Sequence, residues 1–131
     1  MPGGQPAKVY DLEERTGKFG ESVIEFARTI PKEIVTIPLI GQLVRAGTSV
    51  GSNYCEADCA ESRRDFEHKL GICAKEAKET MHWLRMIARA VPALQEGSEK
   101  LRREVNELRL IFISIIRKTR SNERNSPVGD T

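Results

Sequence analysis

Aromatic side chains are scarce in this sequence: four Phe, two Tyr and one Trp, 5% of 131 residues. Any core must rest on Leu, Ile, Val and Ala, and few rings remain on which nucleobases could stack. Long apolar runs are missing as well. The longest uncharged one, "LIFISII" at residues 110–116, is far short of the roughly 20 residues that cross a bilayer, which excludes a membrane span. The opening "MPGGQPAKVYDLEER" lacks the apolar h-region of a signal peptide, so a cytoplasmic location is expected. The three cysteines, Cys55, Cys59 and Cys73, are an odd number without disulfide-scaffold density and suit a reducing compartment. Strand patterns are nearly absent. "EIVTI", residues 33–37, is the one β-looking run, and it lies between Pro31 and Pro38.

What the chain has instead is helical periodicity. Leu12, Thr16, Phe19, Val23, Phe26 and Ile30 recur at steps of four and three. They predict a first helix over about Asp11 to Thr29, with acids in its first turn and Pro31 closing it. A second helix is expected from Thr36, read as its N-cap with Pro38 in the first turn, to about Ala60. Its inward stripe is Ile40, Leu43, Gly47, Val50 and Tyr54. After a tight break near Ala60–Ser62, Phe66, Leu70, Cys73, Ala77, Thr80, Leu84, Ile87 and Val91 carry a third helix. Ser62 is its expected cap, with Asp65 three positions on, and Pro92 ends it. Ser98 reads as the N-cap of a fourth, with Leu101, Val105, Leu108, Phe112 and Ile115 in its seam and its end near Arg117–Arg120. Four helices of about 20 residues, each about 30 Å long, favour an all-α, antiparallel up-down-up-down four-helix bundle over residues 10–120, with flexible ends at 1–9 and 121–131. Ile111 and Ile116 widen the fourth helix's apolar face. That width fits either a broad core contact or an oligomer interface.

Gly47-Thr48-Ser49-Val50-Gly51 spells G-x-S-x-G, the pattern of a hydrolase nucleophile elbow. It also spells G-x-x-x-G, a close-packing motif of helices. The elbow requires a strand before it, and Ile37–Arg45 reads as helix. A triad requires a His oriented by a carboxylate; His68 and His82 lie 14 residues apart on one helix, so only one is within reach of Ser49. A zinc site built from Cys55, Cys59, His68 and Cys73 has no C-x-x-C or H-E-x-x-H behind it. Glu79-x-x-His82 is a single copy where a di-iron bundle needs two, and "GTSVGSN" lacks the Lys of a phosphate-binding P-loop. No enzyme, cofactor or metal is expected. Packing accounts for the motif better. Between Ala46 and Ser52 only Val50 is large, so Gly47 and Gly51, one turn apart, let a neighbouring backbone approach. Beside them Arg45, Ser49, Asn53 and Glu56 form a polar ridge at i, i+4, i+8 and i+11, suited to an internal hydrogen-bond network, a subunit contact or a ligand groove.

The formal net charge is only +2, but it is unevenly placed. Residues 1–60 carry six Lys/Arg against eight Asp/Glu, and residues 61–131 carry fifteen against eleven. The basic candidates for phosphate contact are Arg45, Arg63, Arg64, Lys69, Lys75, Lys78, Arg85, Arg89, Arg117, Lys118 and Arg120, with Arg102, Arg103 and Arg109 beside them. If they share one face they attract a phosphate backbone without base readout, and binding is salt-sensitive. If they are evenly scattered, the surface is an ordinary solvated one that suits a protein-interaction scaffold.

The run "QLVRAGTSVGSNYCEADCAESRRDFEHKLGICAKEAKETMHWL", residues 42–84, with "VYDLEERTGKFGESVIEFAR" before it, resembles the four-helix-bundle proteins encoded in intervening sequences of bacterial 23S ribosomal RNA genes. The matching positions are Arg45, Gly47, Thr48, Ser49, Gly51, Asn53, Tyr54, Glu56, Ala57, Ser62, Asp65, Phe66, Lys69, Leu70, Lys75, Glu76, Ala77, Glu79, Trp83 and Leu84, and the likeness spans roughly residues 9–119. The resemblance implies a ring-shaped homopentamer of four-helix bundles, a role in binding RNA or DNA, and no enzymatic activity. Related bundles are accessory subunits of retroelement reverse transcriptases, so a partner protein such as a polymerase is a second implied association. Cys55 stands where the family pattern Asn-Tyr-Arg-Glu-Ala has Arg, which removes one positive charge.

Overall fold

The computed structural model of the chain describes residues 11–124. Among them lie four α-helices and no strand: α1 (Leu12–Arg28), α2 (Thr36–Asp58), α3 (Arg63–Ala90) and α4 (Gln95–Arg124), with a 3-10 turn at Pro92–Leu94 leading into α4. The all-α class read from the periodicity therefore holds. The expected flexible segment 1–9, and residues 125–131 of the expected tail, lie outside the described residues. Residues 121–124, expected in that tail, instead continue α4. No Gly or Pro stands between Arg117 and Arg124 to break the helix. No helix among the described residues is long and apolar enough to cross a membrane.

The four-three rhythm becomes a core in which each helix buries one stripe. Leu12, Phe19, Val23 and Ala27 come from α1, and Leu43, Ala46, Val50, Tyr54 and Ala57 from α2. Leu70, Cys73, Ala77, Leu84 and Ile87 come from α3, and Val105, Leu108 and Phe112 from α4. Full burial of each large aliphatic or aromatic side chain contributes about 1.5–3 kcal/mol before the entropy of ordering it is subtracted. The Tyr54 and Phe112 rings stack with centroids 6.3 Å apart, tying α2 to α4. Ile111, Ile115 and Ile116 pack partly buried against the cluster, while Leu110 stands half out of it.

Helix ends follow local chemistry, with two corrections. Ser62 caps α3 as expected, its Oγ accepting from the Asp65 amide at 3.0 Å. Thr36, by contrast, is not the N-cap of α2 but its first residue, and its side chain is buried. The hydroxyl accepts from the Glu33 amide at 3.0 Å and donates to the Pro31 carbonyl at 2.5 Å. It closes the α1–α2 loop instead of capping the helix. That loop is the "EIVTI" run, which forms a turn and then enters α2. It leaves Ile34 87% exposed, with Val35 and Ile37 also outside.

The second correction concerns Ser98, which lies inside α4 and is 1% exposed. Its hydroxyl donates to the Leu84 carbonyl of α3 at 2.6 Å. The 3-10 turn starting at Pro92 already supplies the first turn, so α4 begins at Gln95 and needs no cap at 98. Gly97 is within the helix as well. A Cβ there would come within 3.0 Å of the Phe26 ring, so its bareness admits that ring from α1.

Chain neighbours pack closely, α1 on α2, α2 on α3 and α3 on α4, while α1 and α4 meet over less of their length. Across α1–α2 the facing pairs are Thr16 with Gly51, Gly20 with Thr48 and Val23 with Gly47, so numbers fall on one helix as they climb on the other. Arg45 with Glu76 and Glu79, and Glu56 with Lys69, give the same order across α2–α3.

Candidate nucleic-acid interface

The glycine strip and polar ridge of α2 face different neighbours. Gly47 and Gly51 lie against Val23 and Thr16 of α1. The ridge residues line the seam with α3 and are stitched to their own helix. The Ser49 hydroxyl donates to the Arg45 carbonyl at 2.6 Å, and the Asn53 amide donates to the Ser49 carbonyl at 2.9 Å. At one end the Arg45 guanidinium spans Glu76 at 3.3 Å and Glu79 at 2.6 Å; at the other Glu56 accepts from Lys69 at 2.8 Å. The hydrogen bond to Glu79 pushes the Arg45 pKa up, and that to Glu56 pushes up Lys69. Both cations therefore stay charged and occupied in a helix-to-helix seam.

Among the described residues, the basic candidates Arg45, Lys69 and Arg120, whose Nε lies 3.1 Å from Glu67, are thus engaged with carboxylates. Arg117 and Lys118 are exposed near the end of α4, and Arg63 is exposed at the start of α3. The remaining five come together. Arg64, Lys75, Lys78, Arg85 and Arg89 are all exposed. With His68, Gly71 and His82, which are also exposed, they complete an unbroken row of steps four, three, four, three, four, three, four along α3. At 1.5 Å per residue the row is about 37 Å long. No acid stands in it, and none of its five Lys/Arg has an ion-pair partner among the described residues.

The acids of α3 sit on the two flanks of this row and are already spoken for. Glu76 and Glu79 meet Arg45 on the α2 side, and Glu67 meets Arg120 on the α4 side. Asp65 follows the Ser62 cap in the first turn. Flank neutralisation leaves a positive centre line on a chain of small net charge. On α4, Arg102 and Arg103 pair with Glu99, and Arg109 hydrogen-bonds Asn106. The spacing of the row was present in the sequence; that all eight positions face outward, and that the flanking acids are paired, required the structure.

Other sequence candidates fall elsewhere. Cys55 and Cys59 are exposed on α2 and at its end, whereas Cys73 is fully buried. Burial pushes the Cys73 thiol up to about 12. Among the described residues no group of three or more His, Cys, Asp or Glu is placed to hold a metal ion. The His82 ring meets the Trp83 ring edge-on with centroids 4.8 Å apart.

Two grooves were not anticipated. One, of 780 Å³, opens between α1 and α4 where those helices part, with Phe19, Phe26 and Leu101 at its base. Arg15 bridges it to Glu104 at 2.9 Å and also reaches Glu107; the Glu104 hydrogen bond drives its pKa upward. The other, of 470 Å³, lies beside Tyr54, Phe66, Leu110 and Ile111. Neither had a sequence signal beyond the extra apolar width of the fourth helix.

These features define a class: a small all-α protein of four helices, one of which shows solvent a face of a single charge sign. The chain belongs to the 23S rRNA-intervening sequence protein family, whose sequence model matches residues 10–114. It is also similar to the crystal structure of a protein of unknown function from the S23 ribosomal protein family of Bacteroides thetaiotaomicron. The two share 33% identity and a TM-score of 0.73 over 79% of this chain and 96% of that one. No curated protein matches the sequence.

Proposed function

We propose that this protein is a non-enzymatic, up-down-up-down four-helix bundle that binds RNA or DNA by its phosphates along the outer row of α3. The observation that carries the reading is that row: five exposed cations, unpaired among the described residues, at regular spacing over about 37 Å, with no acid among them. Evenly spaced cations along one helix face suit phosphate contacts along a backbone better than readout of base edges. The Asn and Gln side chains that would recognise adenine, and the Phe, Tyr and Trp rings that stack most strongly on bases, are absent from it. Binding is therefore sequence-independent and steeply weakened by salt. The oligomer is the ring-shaped homopentamer that the family resemblance implies, acting in the cytoplasm, with five copies presenting five such rows. A fluorescence-anisotropy titration with labelled duplex and single-stranded RNA and DNA, at low and high salt, tests the reading. Absence of binding at low salt sinks it.

A second reading, a scaffold or accessory subunit for a partner protein such as a polymerase, draws on a different observation. Ile34 and Val35 stand exposed on the α1–α2 loop with Ile37 beside them in the first turn of α2, and Leu110 stands exposed beside the 470 Å³ groove. Large apolar side chains kept in water favour a protein contact. The two readings are compatible, since the loop and the α3 row occupy different parts of the chain.

A further inference from the structure

Among the described residues His68 and His82 join no cluster placed to hold a metal ion, and both stand in the α3 row. His68 is four residues after Arg64. His82 is four after Lys78 and three before Arg85, and both rings are exposed. Residues at these spacings are neighbours on a helix surface. A polyanion laid along the row therefore passes over the imidazoles as well as over the cations.

Each ring has mixed charged surroundings when the protein is free. His68 has Arg64 and Asp65 on its own helix, with the Glu56–Lys69 pair on the α2 flank and the Glu67–Arg120 pair on the α4 flank. His82 has Lys78, Glu79 and Arg85 on its own helix. Arg45 approaches from α2 through Glu79, and the α4 charges level with it, by the Leu84–Ser98 contact, are Glu99 and Arg102. The nearby carboxylates each have a cationic partner or, for Asp65, the helix start, so among the described residues no free carboxylate stands in the row beside either ring. A phosphate backbone would be the first uncompensated negative charge to reach them.

Resting on the phosphate-binding reading above, we infer that His68 and His82 are phosphate ligands that take up protons when nucleic acid binds, so that the α3 row grips more tightly as pH falls. Histidine is the side chain whose ordinary titration lies between pH 5 and 8, and phosphates favour the imidazolium over the neutral ring. Preferential binding of the protonated form makes affinity rise with proton activity, and the proton uptake must appear on binding. Each imidazolium that meets a phosphate also releases a counterion, steepening the salt dependence by about 0.9 on a logarithmic plot.

The test uses the full chain and a 25-base-pair RNA duplex, with a DNA duplex in parallel, at pH 8.0 and 6.0 and constant ionic strength. This range stays above ordinary carboxylate titration. Affinity is expected to rise at least about fivefold at pH 6.0, a modest upward shift of the two imidazoles on binding being enough. Calorimetry in two buffers of different ionisation enthalpy should record net proton uptake near pH 6.5. The double variant His68→Gln and His82→Gln, at exposed positions, should lose the rise between pH 8.0 and 6.0. Binding that does not change with pH, or a double variant that keeps the rise, overturns the inference while leaving phosphate binding intact. No binding at either pH overturns the underlying reading and the inference with it.

Discussion

Val23 stands so close to Gly47 that a Cβ on the glycine would lie 2.9 Å from both valine methyls. Val23 is completely buried and β-branched, so it has neither space nor an alternative rotamer through which to retreat. Four residues on, a Cβ at Gly51 would meet Thr16 at 3.4 Å, ordinary van der Waals contact. The two glycines of one motif are thus unequal. Gly47→Ala should destabilise by about 1–3 kcal/mol, overpacking exceeding the helix-propensity gain. Gly51→Ala should be neutral or stabilising by up to about 1 kcal/mol. Urea denaturation of the two variants checks the contrast; equal effects would refute it.

Ser98→Ala removes the side-chain hydrogen bond that ties the Leu84 carbonyl to α4, at a fully buried position. The Leu84 carbonyl keeps its helical setting, so the expected cost is about 1 kcal/mol, read as a lower denaturation midpoint with unchanged slope. A midpoint equal to wild type would show that Ser98 serves only as a small residue in the α3–α4 contact.

Thiol chemistry should divide the cysteines. Cys55 and Cys59 are exposed and should react promptly with a disulfide reagent at pH 8, whereas Cys73 should react only on unfolding. Prompt labelling of three thiols in the native protein would contradict the packing of α3.

Burial also gives stability a direction with pH. The native Cys73 thiol holds its proton up to about 12, against an ordinary value of 9.0. Between these limits the unfolded chain binds fewer protons than the native one, so stability falls as pH rises above about 9. Burial raises the Tyr54 pKa in the same direction. Cys73→Ala should flatten the decline between pH 9 and 11 by about 1–2 kcal/mol, measured as the difference in denaturation free energy at the two pH values.

Periodicity carried most of the fold. The core positions from Leu12 to Phe112 were legible because helices bury every third or fourth residue, and Ser62 because its cap chemistry is local. Thr36 and Ser98 misled for one reason. A hydroxyl near a helix start also bonds to whatever carbonyl the tertiary structure brings near, here those of Pro31 and Leu84. The interface was only half legible. Arg64, Lys75, Lys78, Arg85 and Arg89 were identifiable as basic, but so were Arg45, Lys69 and Arg120, and composition does not reveal which cations a neighbouring helix neutralises. Glu56, Glu67, Glu76 and Glu79 make that selection through contacts far apart in sequence.

The central claim is that the outer row of α3 is a phosphate-binding surface, and the most direct measurement is the salt dependence of duplex binding by the wild type and by Lys75→Gln, Lys78→Gln, Arg85→Gln and Arg89→Gln combined. These residues are exposed and make no ion pairs among the described residues, so the variant should fold as the wild type does. The account predicts an affinity at 50 mM salt reduced at least about 100-fold, and a logarithmic salt slope shallower by about 0.9 for each removed charge that reached a phosphate. A variant that binds with wild-type affinity and slope would contradict it.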